Sequence, residues 1–266
     1  MPSSYVRVFY DEFEGTALDT TRWWTRYIYS GGTLDYLNDE IQRYRENGNH
    51  PVAGGILKLV AKPQSDGSFT SGMIRSKTTM KYGYFETRVK MPAGLGVWTA
   101  FWLNPEDMGW PPEIDILEFL NNGTDDRIDM FSARGQGNAQ GIAQLASHPN
   151  FDTTWKTWRA PYNFSDGYHV FGALWDTDDT VTVYVDGVLI TKFHYNWVHN
   201  DGSDAGKAHV LLNLAMGGNW AGRNGVDRTR EHVYEIDYVR VYQKPTAIST
   251  GVSTVGVNLC PAGSGC

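Results

Sequence analysis

Cysteine is nearly absent: Cys260 and Cys266 are the only two in 266 residues, both in the last seven positions. A Cys-x-x-Cys metal cluster is thereby excluded, and a small terminal disulfide in an oxidising compartment is the most this spacing allows. Positive charge is also short, with 23 Lys+Arg against 30 Asp+Glu, a balance of −7. A phosphate backbone needs clustered positive charge, so no nucleic-acid partner is expected. No run of about 18 apolar residues occurs, which excludes a membrane span on length. Met1–Ser4 lacks the charged and apolar regions of a signal peptide, leaving a cytoplasmic protein or one whose signal has been removed. Sustained helical periodicity is missing as well.

Aromatic residues are plentiful, with 10 Trp, 15 Tyr and 11 Phe beside 29 Gly and 11 Pro. Such a composition suits short strands joined by many turns. The aromatics fill a sandwich core or offer platforms for sugar rings, and composition alone favours neither. Strands are expected at 56–61, 82–91, 169–175, 180–185, 209–214 and 233–242, all short alternating or apolar runs. Asp186-Gly187 between two such runs predicts a tight hairpin of the left-handed turn type. The expected architecture is all-β, a jelly-roll sandwich of antiparallel sheets over residues 1–243. From 244 to 266 a Pro-, Thr-, Ser- and Gly-rich tail follows, to which no structure is assigned.

The segment 110–119, WPPEIDILEF, carries three acids within six residues. In a regular strand Glu113 and Asp115 share a face and Glu118 has the wrong parity. One extra residue, a bulge at Ile116–Leu117, brings Glu118 to the same face, and bulges favour active sites. Glu113 and Glu118 then stand about four strand positions apart, roughly 13 Å at about 3.3 Å each. Side chains leaning together would leave their carboxyls roughly 5 Å apart, the separation used by retaining glycosidases. A solvated charged strand and a calcium site are the competing readings of the same acids. Trp98, Trp102 and Trp110 just upstream favour catalysis, because sugar chemistry needs acids beside aromatics.

The segment EIDILE resembles the signature of glycoside hydrolase family 16 in its bulged form. Blocks in the same order are SGMIRSK (71–77), KYGYFETRVKMPAGLGVWTAFWL (81–103), VTVYVDG (181–187), LLNLAMGGNWAG (211–222) and YEIDYVRVYQ (234–243). The resemblance covers about residues 5–243 and is nearest the endo-β-1,3-glucanase (laminarinase) branch. It implies two curved sheets with a concave cleft, and a retaining endo-hydrolase of β-linked polysaccharide. Glu113 would be the nucleophile, Glu118 the acid/base, and Asp115 would lie between them. Trp98, Trp102, Trp110 and Trp220 are the implied sugar platforms, with Asn38, Glu40, Arg75 and Arg134 as polar contacts; Trp102 fits a core role equally well. No cofactor is required for catalysis. A structural calcium on the convex face would use Glu12, the Gly55 carbonyl and Asp237, and Asp237 suits a surface salt bridge as well. The resemblance further implies an extracellular or periplasmic protein acting as a monomer.

The linkage stays open. IDMFSARGQGNAQG (128–141) lacks the His-Gly element common in laminarinases, and Arg75, Arg127 and Arg134 leave room for an anionic polymer. Mixed-linkage glucan, sulfated galactan and acidic exopolysaccharide are therefore alternative substrates. A non-catalytic carbohydrate-binding jelly roll is a further alternative, against which the intact acids count.

Overall fold

Each of the six expected runs forms a strand close to its expected ends. They are Ile56–Pro63, Gly83–Lys90, His169–Trp175, Thr180–Val185, Ala208–Met216 and His232–Gln243. The computed structural model describes residues 4–29, 32–121, 128–134, 144–153, 156–222 and 225–245. The tail from 246 onward, with Cys260 and Cys266, lies outside them.

Two large sheets carry these strands. The convex one has eleven strands among the described residues, with His232–Gln243 between Gly83–Lys90 on one side and Ile56–Pro63 and Val6–Asp11 on the other. The second has eight and runs Phe151–Asp152, Thr157–Arg159, Ile128–Arg134, Glu113–Asn121, Val97–Pro105, Ala208–Met216, Met73–Ser76, Trp23–Trp24. Pairing is antiparallel throughout the second sheet. The result is an all-β jelly roll of two curved antiparallel sheets.

Period-2 alternation decides what lies between the sheets. Phe101, Leu103, Ile114, Phe119, Leu212 and Leu214 from the second sheet meet Phe85, Phe171, Val181, Val183, Ile236 and Val241 from the first, all buried in one cluster. The opposite face of the second sheet is closed to solvent as well along Val97–Pro105, which is buried over its whole length. An antiparallel strand with one wet face would alternate; here the second face is the floor of a cleft.

The Asp186-Gly187 turn has φ of 48° at Asp186 and 79° at Gly187, the left-handed pair the dipeptide predicts. Among the described residues the one α-helix is the single turn Gly218–Ala221, which carries Trp220.

Candidate active site

The acid-bearing strand Glu113–Asn121 is irregular where its sequence says it should be. Against Val97–Pro105, Trp102 stands opposite Asp115 and Phe101 opposite Leu117, so Ile116 is the extra residue. The neighbouring strand agrees, since register slips between Asp115 and Glu118 there as well. Ile116 and Leu117 both turn into the core, at 0% exposure. Their joint burial is the physical reason for the bulge: two consecutive apolar side chains take the inner face and return Glu118 to the outer one.

Glu113, Asp115 and Glu118 consequently line one cleft of about 590 Å³, together with Trp98, Trp102, Trp110 and Trp220. Asp115 and Glu118 are buried, and Glu113 is half-buried. The Trp98 indole N–H donates to Glu118 Oε1 over 3.2 Å. Trp102 is held from below: its N–H donates to Asn213 Oδ1 at 2.8 Å, and Asn213 Nδ2 donates to the Tyr44 hydroxyl at 3.1 Å. Burial pushes the Tyr44 hydroxyl far up, so it stays neutral and available to this chain. Trp102 is thus packed with Tyr27, Met73 and Leu211 while bordering the cleft.

The entry to Glu113–Asn121 is held from the loop after Val188–His194. Glu113 donates its backbone N–H to the Tyr195 hydroxyl at 3.1 Å. His199 Nδ1 lies 3.0 Å from the Pro111 carbonyl and its Nε2 3.0 Å from Asp107 Oδ2, bracketing the turn that carries Trp110. Trp110 and Trp220 are the open platforms, 62% and 40% exposed.

Asn38 and Glu40 form part of the wall. Glu40 is buried and accepts the Asn38 N–H at 2.5 Å; burial raises its carboxyl above the usual range. Beside them Asp39 Oδ2 accepts the Asn219 N–H at 2.9 Å, tying this wall to the turn of Trp220.

Arg75 does not line the cleft. It shares the face of Leu211 and Trp24, but the chain through Ile28 closes over it and takes an N–H from its guanidinium at 3.0 Å, leaving it 1% exposed. Arg134 is set by register directly opposite Glu113. Arg127 lies outside the described residues.

Tyr27, Asp39, Asn213, Asn219 and Tyr195 escaped the sequence reading. Only Asn213, a lone amide in the apolar run LLNLAM, carried a visible signal.

Of the residues expected for calcium, Glu12 and Gly55 adjoin through their main chains and Asp237 lies on the neighbouring strand. A Cβ on Gly55 would come 3.9 Å from the Glu12 carbonyl oxygen, so these two main chains adjoin. Asp237 follows Ile236, the register partner of Leu57, in the strand beside them. The Glu12 carboxylate is taken by Arg240, at 2.7 and 2.9 Å, and by Arg7 at 2.8 Å. Those bonds hold it below the usual carboxylate range. Arg88 binds Asp237 through Oδ2. A site drawing on the Glu12 and Gly55 carbonyls and one Asp237 carboxylate oxygen would have the all-oxygen chemistry that calcium takes. Glu12 fits it through its carbonyl and not its side chain.

The family model described as "Beta-porphyranase A-D, GH16 domain" matches residues 4–244. The chain belongs to glycoside hydrolase family 16. Solved structures similar to this family-16 chain include the catalytic domain of an endo-1,3-beta-glucanase (laminarinase) from Thermotoga petrophila. It is 27% identical with a TM-score of 0.70, covering 91% of this chain and 99% of that one. The laminarinase of a Flavobacterium species is 29% identical with a TM-score of 0.69, covering 90% and 100%. A curated relative, "Endo-1,3-1,4-beta-glycanase ExsH" of Rhizobium meliloti, is 31% identical over 89% of this chain and 51% of its own length. The family-16 chain thus spans about half the length of the first curated relatives it matches.

Proposed function

We propose that this chain is a retaining endo-glycosidase that hydrolyses internal β-linkages of a polysaccharide, with β-1,3-glucan of the laminarin type as its substrate. The observation that carries the reading is the Ile116 bulge, which sets Glu113, Asp115 and Glu118 together on a floor bordered by four tryptophans. Similarity to laminarinase catalytic domains over nine-tenths of the chain supports the choice of linkage.

In the first step a Glu113 carboxylate oxygen bonds to the anomeric carbon as the bond from that carbon to the glycosidic oxygen breaks. Glu118 gives its proton to the departing oxygen. In the second, Glu118 removes a proton from water, the water oxygen bonds to the anomeric carbon, and the ester to Glu113 breaks. Asp115, between the two, hydrogen-bonds the nucleophile and keeps it oriented. Trp110 and Trp220 supply the exposed faces on which sugar rings stack, and Trp98, Trp102, Asn38 and Glu40 border the rings.

A sulfated galactan is the second reading. It is favoured by the family model, named for β-porphyranases, and by Arg134 in register with Glu113.

Reducing-end release on laminarin, curdlan, mixed-linkage glucan, agar-type galactans, carrageenan and acidic exopolysaccharide decides between them. Activity on laminarin lost in Glu113→Gln is expected. Activity confined to a charged polymer moves the specificity to the second reading. Binding without any hydrolysis overturns the enzyme in favour of a carbohydrate-binding module.

A structural calcium at Glu12, Gly55 and Asp237, a monomeric state and a location outside the cytoplasm, where such polymers are met, complete the proposal. Among the described residues no helix is long and apolar enough to cross a membrane.

A further inference from the structure

We propose that Trp98 is a positioning residue for Glu118: its indole N–H holds Oε1 as an acceptor, leaving Oε2 as the oxygen that carries and delivers the proton. The assignment rests on the acid/base role proposed above for Glu118. It gives Trp98 a task different from the stacking surface that its sequence context suggests.

An indole N–H can only donate, so whichever oxygen it touches must be accepting. In the structure that oxygen is Oε1, at 3.2 Å. A protonated carboxyl accepts best at its carbonyl oxygen, which puts the acidic proton on Oε2. When that proton leaves for the glycosidic oxygen, the N–H bond to Oε1 shortens and strengthens, because the acceptor has become charged. The interaction is stronger after proton transfer than before it, which is the condition for lowering a barrier rather than only binding substrate.

The indole itself is locked. Trp220 meets it edge-on, with centroids 4.9 Å apart and planes at 85°. Ala215 and Ala221 pack against it, and 8% of Trp98 remains exposed. Little of its face is left for a sugar, whereas Trp220 keeps 40% of its surface open. Directly across from Glu118 stands Ala100, with no polar side-chain atom to compete for Oε1.

Among the described residues, these charged groups share the cleft with Glu118. Glu113 and Asp115 share its strand, and Asp39 and Glu40 stand across the cleft. Val97–Pro105 contributes no ionisable side chain, and Ala208–Met216 presents Asn213 and Ala215.

The test compares wild type, Trp98→Phe and Glu118→Gln on the polymer cleaved in the panel and on a dinitrophenyl glycoside of the same sugar. The aryl leaving group departs without a proton. Trp98→Phe is expected to lower kcat on the polymer about 10-fold with KM within about 2-fold, and to change the aryl reaction less than about 2-fold. Its alkaline pH limb should move up by about one pH unit, since a donor favouring the ionised carboxyl is gone. Trp98→His, which restores a ring N–H, should recover part of both. Equal losses on both substrates with a raised KM and an unmoved pH limb would overturn the proposal and leave Trp98 a stacking residue. Glu118→Gln with undiminished polymer hydrolysis is a separate result, which removes the acid/base role itself. Should Trp98→Phe fail to fold, Trp98→Tyr keeps the ring bulk without the indole N–H and carries the same expectations.

Discussion

The Tyr195 hydroxyl accepts the backbone N–H of Glu113 over 3.1 Å, joining the loop after Val188–His194 to the first residue of Glu113–Asn121. Burial raises the Tyr195 hydroxyl far above its ordinary range, with the charges of Glu113 and Asp115 adding to the rise. It is therefore neutral at every working pH. Tyr195→Phe removes the acceptor and frees the strand's entry. A loss of about 1–3 kcal/mol in urea unfolding is expected, with kcat falling more than KM changes. Unchanged kcat would mean the strand needs no such tether.

Ile116 is the residue to delete. Register on both sides of it is regular, so its removal leaves Asp115 opposite Trp102 and Glu118 opposite Ala100. The deletion variant should lose about 2–4 kcal/mol for a missing core side chain yet keep measurable hydrolysis. Inserting an alanine after Leu117 instead should turn Glu118 into the core and abolish activity. Equal activity of the two variants would contradict the role given to the bulge.

Asn213 bridges the Trp102 indole and the Tyr44 hydroxyl. Asn213→Leu takes the acceptor from the buried Trp102 indole N–H and the donor from the buried Tyr44 hydroxyl oxygen, a cost of about 1–3 kcal/mol each. Trp102 should then tilt, raising KM more than it lowers kcat. Steady-state kinetics beside thermal melts separate this from a general loss of fold.

Two buried histidines set an acid limit to stability. Burial lowers both His50 and His209 to about 4, from 6.5. The Ser76 carbonyl, 2.6 Å from His209 Nδ1, can only accept, so that nitrogen carries the neutral ring's proton. Between pH 6.5 and 4 the unfolded chain binds protons that the folded chain refuses, so stability is full above about 6.5 and falls as pH drops toward 4. A fall from 6.5 to about 4, at about 1.4 kcal/mol for each pH unit, gives each up to ~3.5 kcal/mol. Melting temperature should decline across that window, less steeply in His209→Gln. A flat profile would contradict it.

The calcium proposal predicts a Tm rise of roughly 5–10 °C when saturating calcium replaces EDTA, lost in Asp237→Ala. An unmoved Tm would remove the ion from the account.

Much of this was legible in the chain. Alternation gave the strands, Asp186-Gly187 its hairpin, and the parity of Glu118 the bulge, because each depends on neighbours a few residues away. Arg75 misled for the opposite reason: its strand parity is right for the cleft, yet a segment nearly fifty positions earlier covers it. Tyr195 and Tyr44 reach the site from 82 residues beyond Glu113 and 169 before Asn213, distances at which local pattern is silent.

Double displacement by Glu113 and Glu118 makes the proposed reaction a retaining one. Proton NMR of the first products released from laminarin reads it directly. The β-anomer should appear first and mutarotate later, and azide should restore turnover to Glu118→Ala with an activated aryl glycoside. An α-anomer as the first product would contradict the mechanism.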